Sequence, residues 1–397
     1  MRGKSAIIVI ILAELISRGA VADIDFSGWV GYEARGFLKD PQFTGQLSGV
    51  QSSLATELEF EWESEDRRQH TGFVPFARID AEDNERTHGD IREAYWRYFS
   101  VDWEALVGVE RVFWGVTESR HLVNVINQVD AVENIDQEDF LGQPMINLGL
   151  QKDYGKFDLF ILPYFRERTF PGVEGRLRAP LIVDTGSAVY ESTRGQNHID
   201  VALRYSHSFG NWDMGWSFFH GTGREPTLVP GPALDSLIPV YNIISQLGLD
   251  LQYTGEAWLL KMESIARKGQ GDTFGALVGG YEYTFYQAFD GATDIGLLTE
   301  YLYDGRDQTA PITTLQDDVF IGSRLAFNDT QNSAVLAGIL FDFEDQTTGF
   351  RLEAERRLGQ SWKVEIESQF FINVDEDNPA IALVDDDFIL LSIKKYW

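Results

Sequence analysis

Acidic side chains are concentrated in one polar segment in the first half of the chain, residues 115–143. Its candidate functional residues are Asp130, Glu133, Asp136, Glu138 and Asp139. Beside a narrow, water-filled passage, grouped carboxylates favour cations through their local field. In a solvated loop the same groups only increase solubility, so their effect depends on where the fold places them.

Two arginines, Arg78 and Arg97, are candidates for the positive counterpart of that segment. Both lie on the polar face of an alternating stretch, where they could hold acidic side chains in place and set up a field across a passage. The alternative is pairing with carboxylates on neighbouring strands, such as Glu57 and Glu93, because opposite charges on one face of a sheet attract. The sequence leaves both interpretations open.

Catalytic and metal chemistry has little support in the sequence. No phosphate-binding glycine loop, zinc-ligand spacing or EF-hand pattern occurs, and the absence of Cys excludes thiolate sites. The acidic runs 375–377 and 385–387 could bind Ca²⁺, but they lack the regular ligand spacing of a dedicated site and are predicted to be solvated loops. We therefore predict no catalytic residue, no bound metal, no cofactor and no enzymatic activity.

Composition narrows the class of protein that could use these charges. The 397 residues carry a formal net charge of -29, and such a surface repels nucleic acid. Aromatic residues make up 13% of the chain and Gly occurs 37 times, which is unusual for an acidic soluble enzyme. The mixture is typical of a membrane barrel with aromatic girdles, small residues in the wall and polar loops.

The first 22 residues form a predicted cleavable signal peptide. Arg2 and Lys4 supply the positive start, residues 6–13 form a short apolar run, and Ala20-Val21-Ala22 matches a cleavage site. The apolar run is too short for a spanning helix, which needs about 20 residues. The predicted organisation is a signal peptide at 1–22 followed by one transmembrane barrel at 23–397.

Strict alternation of apolar and polar residues predicts the strands of that barrel. In residues 54–63, Leu58, Phe60 and Trp62 share one face, while the glutamates between them share the other. A helix would mix these two sets, whereas a strand separates them. The pattern recurs along nearly the whole chain in stretches of about ten residues, a length sufficient to cross a membrane as a tilted strand.

The links between these stretches alternate between short turns and long polar segments. Gly210-Asn211 and Gly359-Gln360 are examples of short turns, and residues 114–143 and 169–196 are examples of long links. This rhythm predicts an antiparallel up-and-down β-barrel of 18 strands, with 16 as the alternative, with short periplasmic turns and long external loops. The last strand ends on Trp397, which we expect the barrel-assembly machinery to recognise.

Residues 91–130 resemble uncharacterised outer-membrane barrel families related to the alginate-export and porin superfamily. The matching positions are Glu93-Ala94-Tyr95, Leu106, Gly108, Trp114-Gly115, Asn127 and Asp130. Glu110 stands where these families have Gln, and Gln128 where they have Pro. The resemblance covers about 40 residues; it implies a barrel with porin-like topology and does not specify a solute.

That resemblance sets the functional expectation. In general porins, which this organisation is similar to, the loop at the place of 115–143 folds inward and narrows the channel. The expected function is passive diffusion of small cationic or neutral hydrophilic solutes across a bacterial outer membrane. The alternatives are a structural barrel partnered with a periplasmic protein and, less favoured, a barrel hydrolase. Expected partners are outer-membrane lipid and lipopolysaccharide, with a possible homo-oligomer.

Overall fold

The structure is a computed structural model that describes residues 24–397. The predicted signal peptide lies outside the described residues. Eighteen long strands form one closed antiparallel sheet, in which each strand pairs with its neighbours in chain order and the first pairs with the last. The prediction of an 18-stranded barrel is confirmed, and the 16-stranded alternative is wrong.

The strands are numbered in chain order, and four short ones outside the barrel are given separately below. The barrel strands are β1 (Ile24–Phe37), β2 (Val50–Glu63), β3 (Gln69–Asp80), β4 (His88–Phe99), β5 (Trp103–Glu110), β6 (Gln143–Lys152), β7 (Gly155–Leu162), β10 (Asp200–Phe209), β11 (Trp212–Thr222), β14 (Ile243–Thr254), β15 (Trp258–Lys268), β16 (Phe274–Phe285), β17 (Asp294–Asp304), β18 (Asp317–Ala326), β19 (Ala334–Asp342), β20 (Thr348–Leu358), β21 (Trp362–Ile372) and β22 (Phe388–Tyr396).

The two ends of the barrel differ in the length of their links. Short turns join the strands at one end, here called the turn end, and the longest links, including 111–142, 163–199 and 223–242, emerge at the other, the loop end. In bacterial barrels the short turns face the periplasm and the long loops face outward.

Two strands are shorter than the alternation predicts, each for a local reason. The alternating pattern predicts a strand over 156–168, but β7 ends at Leu162 because the next residue, Pro163, has no backbone N–H to continue the ladder. The pattern also predicts a strand over 103–113, but β5 ends at Glu110. There the side chain of Asn127 takes over the pairing, since its Oδ1 accepts from the Val112 N–H at 2.8 Å.

Four short strands join two external links that the sequence predicts only as polar loops. They are β8 (Ile182–Val183), β9 (Val189–Tyr190), β12 (Thr227–Pro230) and β13 (Ser236–Tyr241). Strand β13 pairs antiparallel with β12 and parallel with β8 and β9, so residues from links 163–199 and 223–242 form one small sheet. These strands are too short and too distant in sequence to produce a periodic signal.

Short 3₁₀ turns provide the helical content of the described chain. They span Thr185–Ser187, Gly195–Asn197, Ala288–Asp290 and Pro379–Leu383. Among residues 24–397, no helix has the length and apolarity required to cross a membrane.

The two faces of the wall follow the predicted alternation. Leu203 is 49% exposed on the outer face, next to Phe218 on the adjacent strand. The following residue, Arg204, points into the lumen and binds Asp250 at 2.9 Å. Aromatic pairs such as Trp212 with Tyr253, whose ring centroids lie 5.0 Å apart, stand near the turn end, where an interfacial belt is expected.

A hydrophobic core lies inside the barrel rather than between layers. Trp114, Leu122, Val123, Val125 and Ile126 of link 111–142 are buried against inward-facing side chains of the wall. The wall side of this core includes Met145, Phe160, Phe219, Ile265, Val278, Leu298 and Phe320. The half of the lumen bounded by β5–β7, β10, β11 and β14–β18 is therefore filled.

Candidate functional site: the lumen and its inward segment

Residues 111–142, here called the lumen loop, lie within the barrel between β5 and β6. Two wall glutamates hold the first part of this loop through its backbone. Glu263 of β15 accepts hydrogen bonds from the N–H groups of Val116 at 2.7 Å and Val123 at 3.1 Å. Glu300 of β17 accepts from the N–H of Ser119 at 2.8 Å. Both glutamates are buried, so these charge-assisted bonds satisfy the carboxylates and the loop backbone together.

The second part of the loop contains the acidic residues that the sequence selects, and the structure separates them into two groups. Asp130 is buried against β4 and the next link: its carboxylate lies 2.7 Å from Arg92 Nη2, 3.1 Å from His88 Nε2 and 2.8 Å from the Thr169 hydroxyl. Burial acts to raise the pKa of Asp130, but the hydrogen bond with His88 and the charge of Arg92 outweigh it and hold the pKa at about 2.

Glu133 belongs to the same buried group. Arg78 of β3 binds it, with Nη2 at 2.6 Å, and binds Glu33 of β1 through Nη1, also at 2.6 Å. Arg86 adds a second guanidinium beside Glu33, at 3.1 Å. Arg78 of β3 therefore lies between Glu133 of the loop and Glu33 of β1, so it joins the loop to both strands.

One subset of this group has the spacing of a metal site. Ligand atoms of His88, Asp130 and Glu133 all lie within 4.8 Å of one another. However, Arg92 and Arg78 already neutralise the two carboxylates. Two guanidinium groups next to the same oxygens oppose a cation, so the arrangement suits an ion-pair network better than a metal.

The other acidic residues reach across the lumen toward β20 and β21. Arg351 of β20 lies 3.5 Å from Asp136 and 3.1 Å from Glu138, and the amide of Asn134 bridges Asp136 at 2.9 Å and Glu367 at 2.8 Å. Burial, followed by the negative charge of Glu367, raises the pKa of Asp136 to about 6. Asp139 is exposed within the lumen.

Arg97 does not meet the acidic segment. It lies near the turn end of β4 and pairs with Glu110 on the adjacent strand β5. Its position fits the alternative, pairing within the wall, whereas Arg78 is placed against the loop.

The residues that dock the loop include six that are not among those singled out by the sequence. They are Arg35, Arg86, Arg92, Arg351, Glu263 and Glu300. Five of them occupy lumen positions of barrel strands, where the alternation predicts that the side chain points inward, and Arg86 lies on the link at the barrel rim. The partner of each residue across the lumen depends on the closure of the barrel and has no local sequence signal.

Beside the docked loop, a cavity of about 760 Å³ occupies the other half of the lumen. Its wall comes from β1–β4 and β18–β22, and the loop contributes Arg111, Glu118 and residues from 133–140. Eleven carboxylates and eight basic side chains line it, an excess of three negative charges. The lumen is therefore divided into a half that the loop fills largely with apolar side chains and a charged half that contains open volume.

The two acidic runs of the link between β21 and β22, residues 375–377 and 385–387, differ in burial. Asp375 and Asp377 are exposed, as a solvated loop requires. Asp386 and Asp387 are buried, which contradicts the prediction for 385–387. They bind basic residues of other links: Asp386 lies 2.5 Å from Arg176 Nε, and Asp387 lies 2.9 Å from Lys39 Nζ.

The comparisons with known proteins reveal similarity in structure only. No protein-family model matches the chain, and no curated protein matches it. Among solved structures, the chain is similar to Wzi, described as an outer-membrane carbohydrate-binding β-barrel involved in group 1 capsule assembly in Escherichia coli. The TM-score is 0.56 and the identity 11%, covering 98% of this chain and 87% of Wzi.

Weaker similarity extends to two further outer-membrane proteins. A mutant of Rhodopseudomonas blastica porin gives a TM-score of 0.46 at 12% identity, covering 94% of this chain and all of the porin. A loop L8 deletion mutant of OmpT from Vibrio cholerae gives 0.47 at 9% identity, covering 94% of this chain and 99% of OmpT.

The class that the fold defines is a transmembrane β-barrel of the bacterial outer membrane. The closed sheet leaves no edge, and its outward face is apolar, as lipid requires. The resemblance to alginate-export-related families finds no support from a sequence match and stays a prediction.

Proposed function

We propose that this barrel is a passive diffusion channel for small hydrophilic solutes, with a preference for cations. The observation that carries the proposal is the charged half of the lumen, where open volume of about 760 Å³ is lined by more carboxylates than basic groups. Such a lining favours cations, because charges in a confined space are less screened than at a free surface.

The filled half of the lumen sets the expected size of the channel. Loop residues such as Trp114 and Ile126 are buried against the wall and fill much of that half. We therefore expect conductance well below that of an 18-stranded barrel whose whole lumen is open.

Planar-bilayer recording of the purified full chain tests the proposal. We expect small, steady single-channel steps and a reversal potential of cation-preferring sign in a salt gradient. A correctly folded barrel that produces no conductance would overturn the proposal. That outcome would favour the alternative of a structural or complex-forming barrel, which the apolar filling of half the lumen also fits.

A channel is favoured over a barrel hydrolase by the surroundings of His220, the histidine that lies beside a serine hydroxyl. His220 Nδ1 lies 2.9 Å from the Ser245 hydroxyl on the outward face of the wall. Within residues 24–397, no carboxylate is hydrogen-bonded to His220, so nothing would orient it as a base for that serine.

A further inference from the structure

Two aspartates face each other at the loop end of the barrel, outside the network that holds the lumen loop. Asp318 of β18 and Asp342 of β19 are direct partners in the strand register. They are 1% and 5% exposed, so both side chains lie on the buried, lumen-facing side of the sheet. Directly opposed residues on one face have β-carbons about 4.5–5.5 Å apart, which brings the two carboxylates together.

Neither carboxylate has a basic partner. Among residues 24–397, no Lys, Arg or His nitrogen lies within 4.0 Å of Asp318 or Asp342. The neighbouring buried acid shows the contrast, since Asp304 is neutralised by Arg306 at 2.7 Å and Arg120 at 3.2 Å. Arg120 is further committed to the Leu315 carbonyl at 3.3 Å.

The carboxylates also keep unused oxygen atoms. Asp318 Oδ2 is buried without a hydrogen-bond partner in the described part of the chain. Asp342 uses Oδ1 to accept from the N–H groups of Glu344 at 2.7 Å and Asp345 at 3.2 Å. Those bonds fix the orientation of the Asp342 side chain and leave its Oδ2 free to act as a ligand.

The β19–β20 link next to this pair is held by hydrogen bonds within itself and to the link that follows β21. Asp345 Oδ1 accepts from the Thr347 N–H at 2.8 Å, and its Oδ2 accepts from the Asn378 amide at 2.7 Å. The rim around the aspartate pair is therefore preorganised, which lowers the cost of binding there.

We propose that Asp318 and Asp342 form a binding site for a hard divalent cation of the Ca²⁺ type at the external rim of the barrel. Two adjacent, buried and unpaired carboxylates are costly unless a cation or a proton neutralises one charge. Ca²⁺ takes carboxylate oxygens and completes its shell with carbonyls and water. Bound there, it would fasten β18 to β19 beside the charged half of the lumen.

The test is calorimetric titration of the refolded full chain with Ca²⁺ at pH 8, in enough salt to suppress diffuse binding to the acidic surface. We expect one saturable site with Kd of about 10⁻⁴–10⁻³ M, the range of extracellular modules. Asp318→Asn and Asp342→Asn should each weaken that site at least tenfold. Thermal unfolding of the native chain should shift upward on adding Ca²⁺ and return with chelator.

Asp317→Asn is the matched control. This neighbour points to the opposite face, where its Oδ1 accepts from the Tyr301 hydroxyl at 2.7 Å, so its removal should leave Ca²⁺ binding unchanged. If the native chain shows no saturable site, or if Asp318→Asn binds Ca²⁺ like the native chain, the cation proposal is wrong and the pair shares a proton. The native-chain titration decides the question even if both variants fail to assemble.

Discussion

At the scale of single residues, the arginines of the lumen determine what the acidic segment does. Asp130 and Glu133 are fully paired and buried, so their charges hold the loop rather than face solute. Glu133 borders the open cavity with its charge already paired, whereas Asp136, Glu138 and Asp139 are the more accessible carboxylates of the lining. The sequence identifies all five as candidates because it shows their type and clustering, but it cannot divide them, since the division depends on Arg78, Arg92 and Arg351 from distant strands.

Arg78 is the residue whose loss should release the loop. Its side chain is 4% exposed between Glu33 and Glu133, so Arg78→Gln leaves two buried carboxylates without their shared partner. Removing one member of a buried ion pair costs about 3–5 kcal/mol. We expect a lower denaturant midpoint and higher, noisier single-channel conductance.

Arg97→Gln provides the comparison for that experiment. Arg97 is more exposed and pairs only with Glu110 within the wall, away from the loop. The Arg97→Gln substitution should change the free energy of unfolding by less than about 1 kcal/mol and leave the single-channel conductance steady. Equal effects of the two substitutions would contradict the assignment of Arg78 to loop docking.

At the scale of elements, periodicity is sufficient to locate the strands because each barrel strand meets lipid on one side and the lumen on the other. Eighteen strands could be counted for that reason. The errors occur where alternation is not the controlling factor: Pro163 ends β7, the Asn127 side chain replaces the ladder after β5, and β13 pairs with segments about 50 residues away. None of these contacts follows from the period of two.

Two adjacent positions on β10 test the facing of a strand. Leu203 is half exposed to lipid, so Leu203→Arg places a charge in the membrane at a cost of about 2–4 kcal/mol at mid-depth and should impair insertion. Arg204→Leu removes a lumen ion pair with Asp250 and should still assemble. The yield of folded, heat-modifiable barrel measures the assembly of both variants. If Arg204→Leu lowers that yield more than Leu203→Arg, the lipid and lumen faces of β10 are reversed.

At the scale of the whole molecule, the loop is both the filling of one half of the lumen and the lining of the other. Complete removal of the loop would therefore enlarge the passage and also expose wall residues such as Phe160, Phe219 and Leu298 to water. A rise in conductance after deletion would be accompanied by lost stability, so deletion cannot separate the two roles. Substitution of the lining acids alone can.

The last prediction concerns selectivity. Replacing Asp136, Glu138 and Asp139 by Asn, Gln and Asn removes three carboxylates from the cavity lining and leaves Asp130 and Glu133, which hold the loop, intact. We expect cation over anion permeability, taken from reversal potentials at pH 8, to fall. Burial and neighbouring carboxylates raise the pKa of Asp136 to about 6 and that of Asp139 to about 8. Asp136 is therefore ionised at pH 8 and Asp139 only partly so, and both are largely neutral at pH 5. The difference from the native chain should shrink on acidification.

A surface control separates this local field from the overall acidity of the protein. Asp375, Glu376 and Asp377 are exposed at the loop end, and their neutralisation removes the same number of charges from outside the cavity. Exposed charges are screened within about 10 Å at 0.1 M salt, whereas lumen charges are screened less. The surface variant should therefore lose its effect on ion selectivity at high salt, whereas the cavity variant should retain its effect. If the surface variant alters selectivity more than the cavity variant at every salt concentration, ions do not pass beside the lumen loop, and the route through the barrel lies elsewhere.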